Sequence, residues 1–286
     1  MLTVGSLFSG AGLCDLGLHW AGFQHQYFCE VDAFCQSVLR RHWPDIPIFA
    51  DIRNLSGQAL PQVDILCGGF PCQDVSVGGK RVGITSTSRS GLWNEYKRII
   101  AEVRPRYIIA ENVSGLLSLG IEGVLKDMAS IGYDAEWEVL PAAALGAPHH
   151  RERVFIVAYP HGYRSDADDR LLAPLERIVA DHEQYAGLFG WLGIRFDRAD
   201  KASALAGYGR PIVHRVDDGG ASRLDDALWA EPRRPHQLGR IDTETAKSWI
   251  PRLKALGNGI TPQQSFAIAA CILIAEGYPV PEFKTT

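Results

Sequence analysis

The sequence predicts an α/β fold on a mostly parallel sheet, with a small, loop-rich module late in the chain. Three observations predict it. Short apolar runs alternate with amphipathic helical stretches from Leu2 to Ala158, and several of these runs stop at glycine or at an acidic residue. Between residues 160 and 250 that rhythm gives way to Asp-, Arg-, Gly- and Pro-rich sequence of mixed charge without repeats. The division that follows is a core of residues 1–159 plus 251–286 and a separate module of residues 160–250. With 286 residues, 46% hydrophobic and 22% charged, the chain has ordinary globular composition, which excludes bulk disorder.

Leu2 to Phe8 is a short apolar run that ends in Ser9-Gly10-Ala11-Gly12-Leu13, and Asp15 to Trp20 reads as helix. Strand, glycine turn and helix open nucleotide-binding α/β units, because glycines let the backbone approach a bulky ligand. The spacing is not G-x-G-x-x-G, and the same turn also forms without a ligand. Gln26 to Cys29 is the second strand, followed by Glu30 and a helix from Asp32 to His42. Glu30 stands 18 residues beyond Gly12, where an acid can accept hydrogen bonds from both ribose hydroxyls. After the third run, Ile46 to Ala50, Asp51-Ile52 offers an acceptor for an adenine amino group and an apolar contact for its ring. A helix cap or turn accounts for Asp51 equally well.

Val63 to Cys67 is the fourth strand and breaks at Gly68-Gly69. Phe70-Pro71-Cys72-Gln73 then presents a thiol behind a proline at the carboxyl edge of the sheet, where open α/β sheets hold ligands. Pro71 fixes its own φ and biases Phe70 toward an extended conformation, so the backbone partly sets the direction of the thiol. Gln73 to Ser90 is a long Gly- and Ser/Thr-containing loop without apolar periodicity, and such loops are usually functional or mobile. Leu92, Tyr96, Ile99, Ile100 and Val103 mark one apolar helix face. From Gly78 to Arg106 seven basic residues stand against two acidic ones, a local excess of positive charge in a chain of net charge −4. This suits a phosphate backbone, although a solvated helix face plus a loop has the same composition.

Arg106 to Ala110 is a further strand that leads into Glu111-Asn112-Val113. A helix over residues 122–131, a strand over 135–140, the run Pro148-His149-His150-Arg151-Glu152-Arg153 and the strand Val154 to Ala158 follow. The last predicted element is a helix from Gln263 to Ala275, with Thr261 as cap and Pro262 at its first position, packed back on the core. The six cysteines form no C-x-x-C pair, and the sequence shows no secretory leader and no membrane-spanning run. That pattern predicts a reducing, cytoplasmic setting without a disulfide framework or a thiolate zinc site.

Taken in order, these segments resemble the DNA (cytosine-5)-methyltransferases of bacteria and phage, over most of the chain outside residues 160–250. Leu7-Phe8-Ser9-Gly10-Ala11-Gly12 is similar to the family's cofactor-binding opening, Gly69-Phe70-Pro71-Cys72-Gln73 to its nucleophile loop and Glu111-Asn112-Val113 to its base-binding element. Arg151-Glu152-Arg153 is similar to the end of its Q-R-R-x-R motif, and Gly257-Asn258 to its last cofactor motif.

The resemblance implies a Rossmann-like S-adenosylmethionine-dependent methyltransferase fold with residues 160–250 as target-recognition domain. It implies methyl transfer to C5 of a flipped cytosine in a specific sequence of double-stranded DNA, with Cys72 adding to C6 and Glu111 donating at N3. Arg151 and Arg153 would orient the base and lower the pKa of the thiol. S-adenosyl-L-methionine would be lined by Phe8, Gly10, Ala11, Gly12, Glu30, Val31, Asp51, Ile52, Pro71, Leu92 and Asn258, and no metal is expected. Gln73, Lys80, Arg81 and Arg89 of the long loop are the expected DNA contacts as it closes. The implied context is a monomeric methylase in the cytoplasm of a bacterial or phage-infected cell, with no membrane, acting alone or beside a separate restriction endonuclease. Two positions depart from the family pattern: His149-His150 replaces a glutamine, and Val31 stands where an aromatic residue is frequent. Methylation of tRNA cytosine and DNA binding without turnover remain as alternatives. A nicotinamide dehydrogenase would explain the glycine turn but neither Pro71-Cys72-Gln73 nor Glu111-Asn112-Val113.

Overall fold

The computed structural model describes residues 1–71, 91–145, 147, 149–163, 170–180, 255 and 259–281. Among them seven strands form one sheet: β1 (Thr3–Leu7), β2 (Gln24–Cys29), β3 (Ile48–Phe49), β4 (Ile65–Gly69), β5 (Tyr107–Val113), β6 (Tyr133–Pro141) and β7 (Glu152–Pro160). Their helices are α1 (Leu13–Trp20), α2 (Ala33–His42), α3 (Leu92–Val103), α4 (Leu116–Leu119), α5 (Ile121–Ser130), α6 (Leu175–Ala180) and α7 (Pro262–Ala275). The spatial order is β3-β2-β1-β4-β5-β7-β6. Pairing is parallel from β3 through β5, whereas β7 runs antiparallel to both β5 and β6. Strand order reverses between β1 and β4, so the loops leaving their carboxyl ends diverge and open a crevice.

Both faces of the central strands are covered, which is why they read as continuous apolar runs. In β4, Ile65 and Cys67 face one layer and Leu66 the other; in β5, Tyr107 and Ile109 oppose Ile108 and Ala110 in the same way. The first layer receives α1, α6 and α7, and the second receives α3, α4 and α5. Leu171, Leu172, Leu175 and Ile178 join the first layer, so the start of the loop-rich stretch packs on the core. The periodic face of α3 is buried as Trp93, Tyr96, Ile99, Ile100 and Val103; Leu92 is only partly covered and Trp93 takes its place.

Buried residues occupy every position of α7 from Pro262 to Leu273, as expected of a helix apolar all round. Its two ends are tied to opposite edges of the sheet. At the start, the Thr261 amide donates to Gln264 Oε1 (3.0 Å), and Gln264 Nε2 donates to the carbonyls of Leu140 (2.6 Å) and Arg151 (3.1 Å). Past its end, Glu276 accepts from Arg106 Nη1 (2.7 Å) and from the hydroxyls of Tyr107 (2.7 Å) and Tyr163 (2.8 Å).

Most predicted elements coincide with these. The sheet is mostly parallel, as expected, and among the described strands β7 alone runs against the rest, a direction that an apolar run does not specify because it fixes burial and not polarity. The residues Cys72, Gln73, Lys80, Arg81, Arg89 and Asn258, the long loop and most of the stretch 160–250 lie outside the described residues.

Candidate active site

The carboxyl ends of β1, β2, β4 and β5 build one continuous edge. After β1, Phe8 adopts φ 54° and sets its ring edge-on to Tyr96, with centroids 6.0 Å apart. The buried Tyr96 hydroxyl donates to the carbonyls of Leu66 (3.3 Å) and Ile109 (3.2 Å), which fixes that ring between β4 and β5. Gly12 closes the following turn at φ +79°, a left-handed conformation in which a side chain is strained, and its amide donates to the Ser9 carbonyl at 3.0 Å.

Glu30, at the end of β2, is buried. One carboxylate oxygen accepts from the Gly10 amide (2.7 Å) and the other from the Asp32 amide (2.7 Å). Each oxygen keeps a second lone pair for a ligand. Beside it Val31 is 72% exposed, an apolar surface at the mouth of the crevice. A β-carbon placed on Gly10 would meet nothing within 4 Å, so the space above the turn is open. Asp51 caps the short turn Ile52–Asn54 through the Arg53 amide (3.0 Å) and pairs with Arg53 Nη2 at 2.6 Å. Hydrogen bonds from Arg53 hold its carboxyl below the usual range. The cap reading of Asp51 therefore describes it, and its carboxylate still stands beside buried Ile52.

The other half of the edge carries charge. Glu111, within β5, pairs with Gly69 of β4 and with Phe155 of β7. Its carboxylate lies 2.9 Å from Arg153 Nε, and both side chains are only 13% exposed. Burial pushes the Glu111 carboxyl up to about 7, outweighing the opposing pull of Arg153 and Arg151. A β-carbon on Gly69 would lie 2.6 Å from Glu111 Oε2, so the carboxyl occupies the space that glycine leaves. Asn112, the next residue, is buried and donates from Nδ2 to the Phe70 carbonyl at 3.0 Å. Phe70 stacks obliquely on Trp93 (4.9 Å), and Pro71 follows at the rim. Asn112 thus pins the backbone two residues before Cys72.

Arg151 reaches a different target. Its guanidinium donates through Nε (3.0 Å) and Nη2 to the Gly259 carbonyl, tying the entry of β7 to the approach to α7. Burial and the like charge of Arg153 lower its pKa to about 10, so it stays protonated at neutral pH. Burial and the Arg151 charge also lower His149, whose Nδ1 has no hydrogen-bond partner among the described residues.

The structure therefore brings together Phe8, Gly10, Ala11, Gly12, Glu30 and Val31 as one half of the edge and Glu111, Arg153 and Pro71 as the other. Arg151 lies within electrostatic reach of Glu111, and Leu92 is partly buried against the second core layer beneath this edge. Sequence reasoning passed over Asn112, Gly69 and Gln264 as site residues. The first two sit inside motifs whose neighbours carry the chemistry, and Gln264 lies in the first turn of the predicted helix with no local pattern to mark it. Among the described residues no group of His, Cys, Asp or Glu side chains is arranged to hold a metal, and no helix is long and apolar enough to cross a membrane.

A doubly wound α/β sheet with a crevice at its switch point, flanked by a buried acid–arginine pair, defines a Rossmann-like class. Within that class the assignment is narrower. Residues 2–185 match the C-5 cytosine-specific DNA methylases, and the chain belongs to that family. It is 34% identical over 207 residues to the Type II methyltransferase M2.BsuMI of Bacillus subtilis, a match covering 68% of this chain and 52% of that protein. It is 35% identical over 173 residues to the Type II methyltransferase M.AquIA of a Picosynechococcus species, covering 53% of this chain and 69% of that one. The chain thus spans about half the length of the first of these relatives. In fold, it resembles the S. pombe Dnmt2 methyltransferase, with a TM-score of 0.60 over 96% of this chain and 99% of that one, at 14% identity.

Proposed function

We propose that this chain is a DNA (cytosine-5)-methyltransferase that uses S-adenosylmethionine and acts on a flipped cytosine in duplex DNA. The observation that carries the reading is Glu111: a buried carboxyl raised to about 7, paired to Arg153 at 2.9 Å and pressed against the strand end that leads through Pro71 to Cys72. A carboxyl that holds its proton near neutrality can donate to N3 of cytosine, where a carboxylate of ordinary pKa cannot.

The crevice fits the cofactor. Open space over Gly10, two ligated but unsaturated Glu30 oxygens and exposed Val31 suit an amino-acid tail, a ribose and an adenine ring respectively. Ala11, Gly12, Asp51, Ile52, Pro71, Leu92 and Asn258 complete the proposed lining. When bound, S-adenosylmethionine supplies an electrophilic methyl group on a sulfonium.

Cytosine C5 is too weak a nucleophile to accept that methyl until the ring is made electron-rich. Cys72 does this by adding as thiolate to C6, while Glu111 gives a proton or hydrogen bond to N3 as charge moves into the ring. Arg153 holds the Glu111 carboxyl in place, and Arg151 fixes the segment before α7 next to Asn258. C5 then bonds to the methyl as the sulfonium C–S bond breaks, the C5 proton passes to solvent, and expulsion of Cys72 as thiolate, with N3 returning its proton to Glu111, restores the aromatic ring. Because C5 and C6 are stacked inside a duplex, the base must leave the helix to be reached. Gln73, Lys80, Arg81 and Arg89 are assigned to DNA contact. Residues 1–159 with 251–286 are assigned to the catalytic unit and 160–250 to the recognition unit, whose opening, Leu171 to Ile178, packs on the catalytic core. The Type II designation of the relatives supports a role in restriction-modification, and a monomer in the cytoplasm acting with or without a separate endonuclease is the proposed form.

Duplex DNA carrying 5-fluorocytosine at the cognate site tests the mechanism, since fluorine cannot leave as a proton does and the Cys72–C6 bond persists. A denaturation-resistant adduct is expected with wild type and none with Cys72→Ser. Methylation of that site without adduct would refute the covalent route, and transfer to tRNA but not to duplex DNA would refute the substrate.

A further inference from the structure

Beneath the glycine turn lies a polar pair that the proposed chemistry does not use. Asp15, in the first turn of α1, is fully buried, and His25, near the start of β2, is 5% exposed. His25 Nε2 and Asp15 Oδ1 are 3.0 Å apart, and Cys67 Sγ of β4 approaches the same oxygen at 3.8 Å. Asp15 Oδ2 and His25 Nδ1 are buried with no hydrogen-bond partner among the described residues. A buried pair left half satisfied is a poor source of stability compared with apolar residues of the same size. Its placement is informative. α1 follows the turn Gly10–Gly12, and β2 leads into Glu30 and Val31, so the pair joins the two elements that carry the turn and the acid on one side of the crevice.

The His25 ring extends the connection. It stacks on Phe28 (5.2 Å, 24° between planes) and leans on Trp43 (5.7 Å, 47°). Trp43 in turn is wedged under the turn: a β-carbon on Gly12 would lie 2.7 Å from its Cζ3. A chain of contacts therefore runs from Asp15 through His25 and Trp43 to Gly12, held at φ +79°, and that turn presents the Gly10 amide to Glu30.

We propose that His25 and Asp15 are positioning residues for the cofactor-binding turn: they hold Gly10–Gly12 at a fixed distance from Glu30, and so set cofactor affinity without taking part in methyl transfer. This rests on the cofactor reading of the crevice. His25→Leu keeps the apolar volume and removes the ring nitrogens. It is expected to weaken S-adenosylmethionine binding, by titration calorimetry, and to raise its KM, each by about tenfold, the scale of one lost buried hydrogen bond. At saturating cofactor, kcat on cognate duplex DNA stays within about twofold of wild type. Amide exchange at Gly10 and Gly12 speeds up by about tenfold in the free protein. His25→Gln, whose Nε2 has similar reach, restores affinity and protection. Trp43→Leu, at a partly exposed position, is expected to reproduce the exchange and affinity changes should His25→Leu not fold. A folded His25→Leu with wild-type exchange and affinity overturns the proposal, as does a fall in kcat at unchanged KM. If the wild-type protein itself binds no S-adenosylmethionine, the cofactor reading fails, and the exchange rates alone decide whether the brace exists.

Discussion

Replacing Glu111 by glutamine separates the carboxyl's proton from its shape. In the folded chain burial raises this group from 4.5 to about 7, against the attraction of Arg153 and Arg151. Between those two values the folded protein holds a proton that the unfolded chain has already released, so unfolding releases it and stability falls as pH rises. At about 1.36 kcal/mol per pH unit the difference amounts to about 3 kcal/mol, present in full below the unfolded value and gone once pH passes about 7. Glutamine does not titrate. Urea unfolding between about pH 5 and pH 8 is therefore expected to show wild type losing up to that amount relative to Glu111→Gln, and the histidines common to both proteins cancel in the comparison. In methyl transfer, wild-type kcat/KM should decline above about pH 7 as the donor proton is lost. The variant should be slower by about 10²–10⁴ and lack that decline. Parallel stability profiles would refute the claim that burial governs this carboxyl.

Two further substitutions probe the neighbours of that group. Gly69→Ala puts a methyl 2.6 Å from Glu111 Oε2, on a carboxylate whose other oxygen, Oε1, is held by Arg153, so a loss of about 1–3 kcal/mol in thermal unfolding is expected together with slower single-turnover transfer. An unchanged melting temperature and rate would show that Glu111 has room to move. Asn112→Ala removes the donor to the Phe70 carbonyl, which should lower kcat while leaving the dissociation constant for S-adenosylmethionine unchanged; a shift in cofactor affinity alone would contradict its assignment to the nucleophile loop.

How much of this was legible in the sequence depends on what kind of information each residue carries. α3 announced itself through a repeat of about 3.6 residues, and only its first buried position, Trp93 in place of Leu92, was displaced. β4 and β5 were readable because sheet strands covered on both faces are apolar throughout. The reversed direction of β7 was not, since burial is indifferent to strand polarity. Glu111 and Arg153 were legible as a motif, but their 2.9 Å pairing depends on the antiparallel register that sets Val113 opposite Arg153, a long-range fact. Asn112 and Gln264 act through carbonyls of distant segments, and no local pattern distinguishes a side chain with such a partner from one in solvent. Asp15 and His25 are ten residues apart on a helix and a strand, and nothing in their spacing announces that they meet.

The placement of α7 has a consequence for synthesis on the ribosome. About 100 residues separate the end of β7 from this helix, so at 5–20 residues per second roughly 5–20 s pass between the emergence of the two. Throughout that interval the layer formed by α1 with Ile65, Cys67 and Ile109 lacks the buried helix that covers it. The nascent sheet therefore spends seconds with part of one apolar side uncovered, and chaperone binding or aggregation competes with folding during that time. A chain shortened ahead of Pro262 would keep that exposed side permanently.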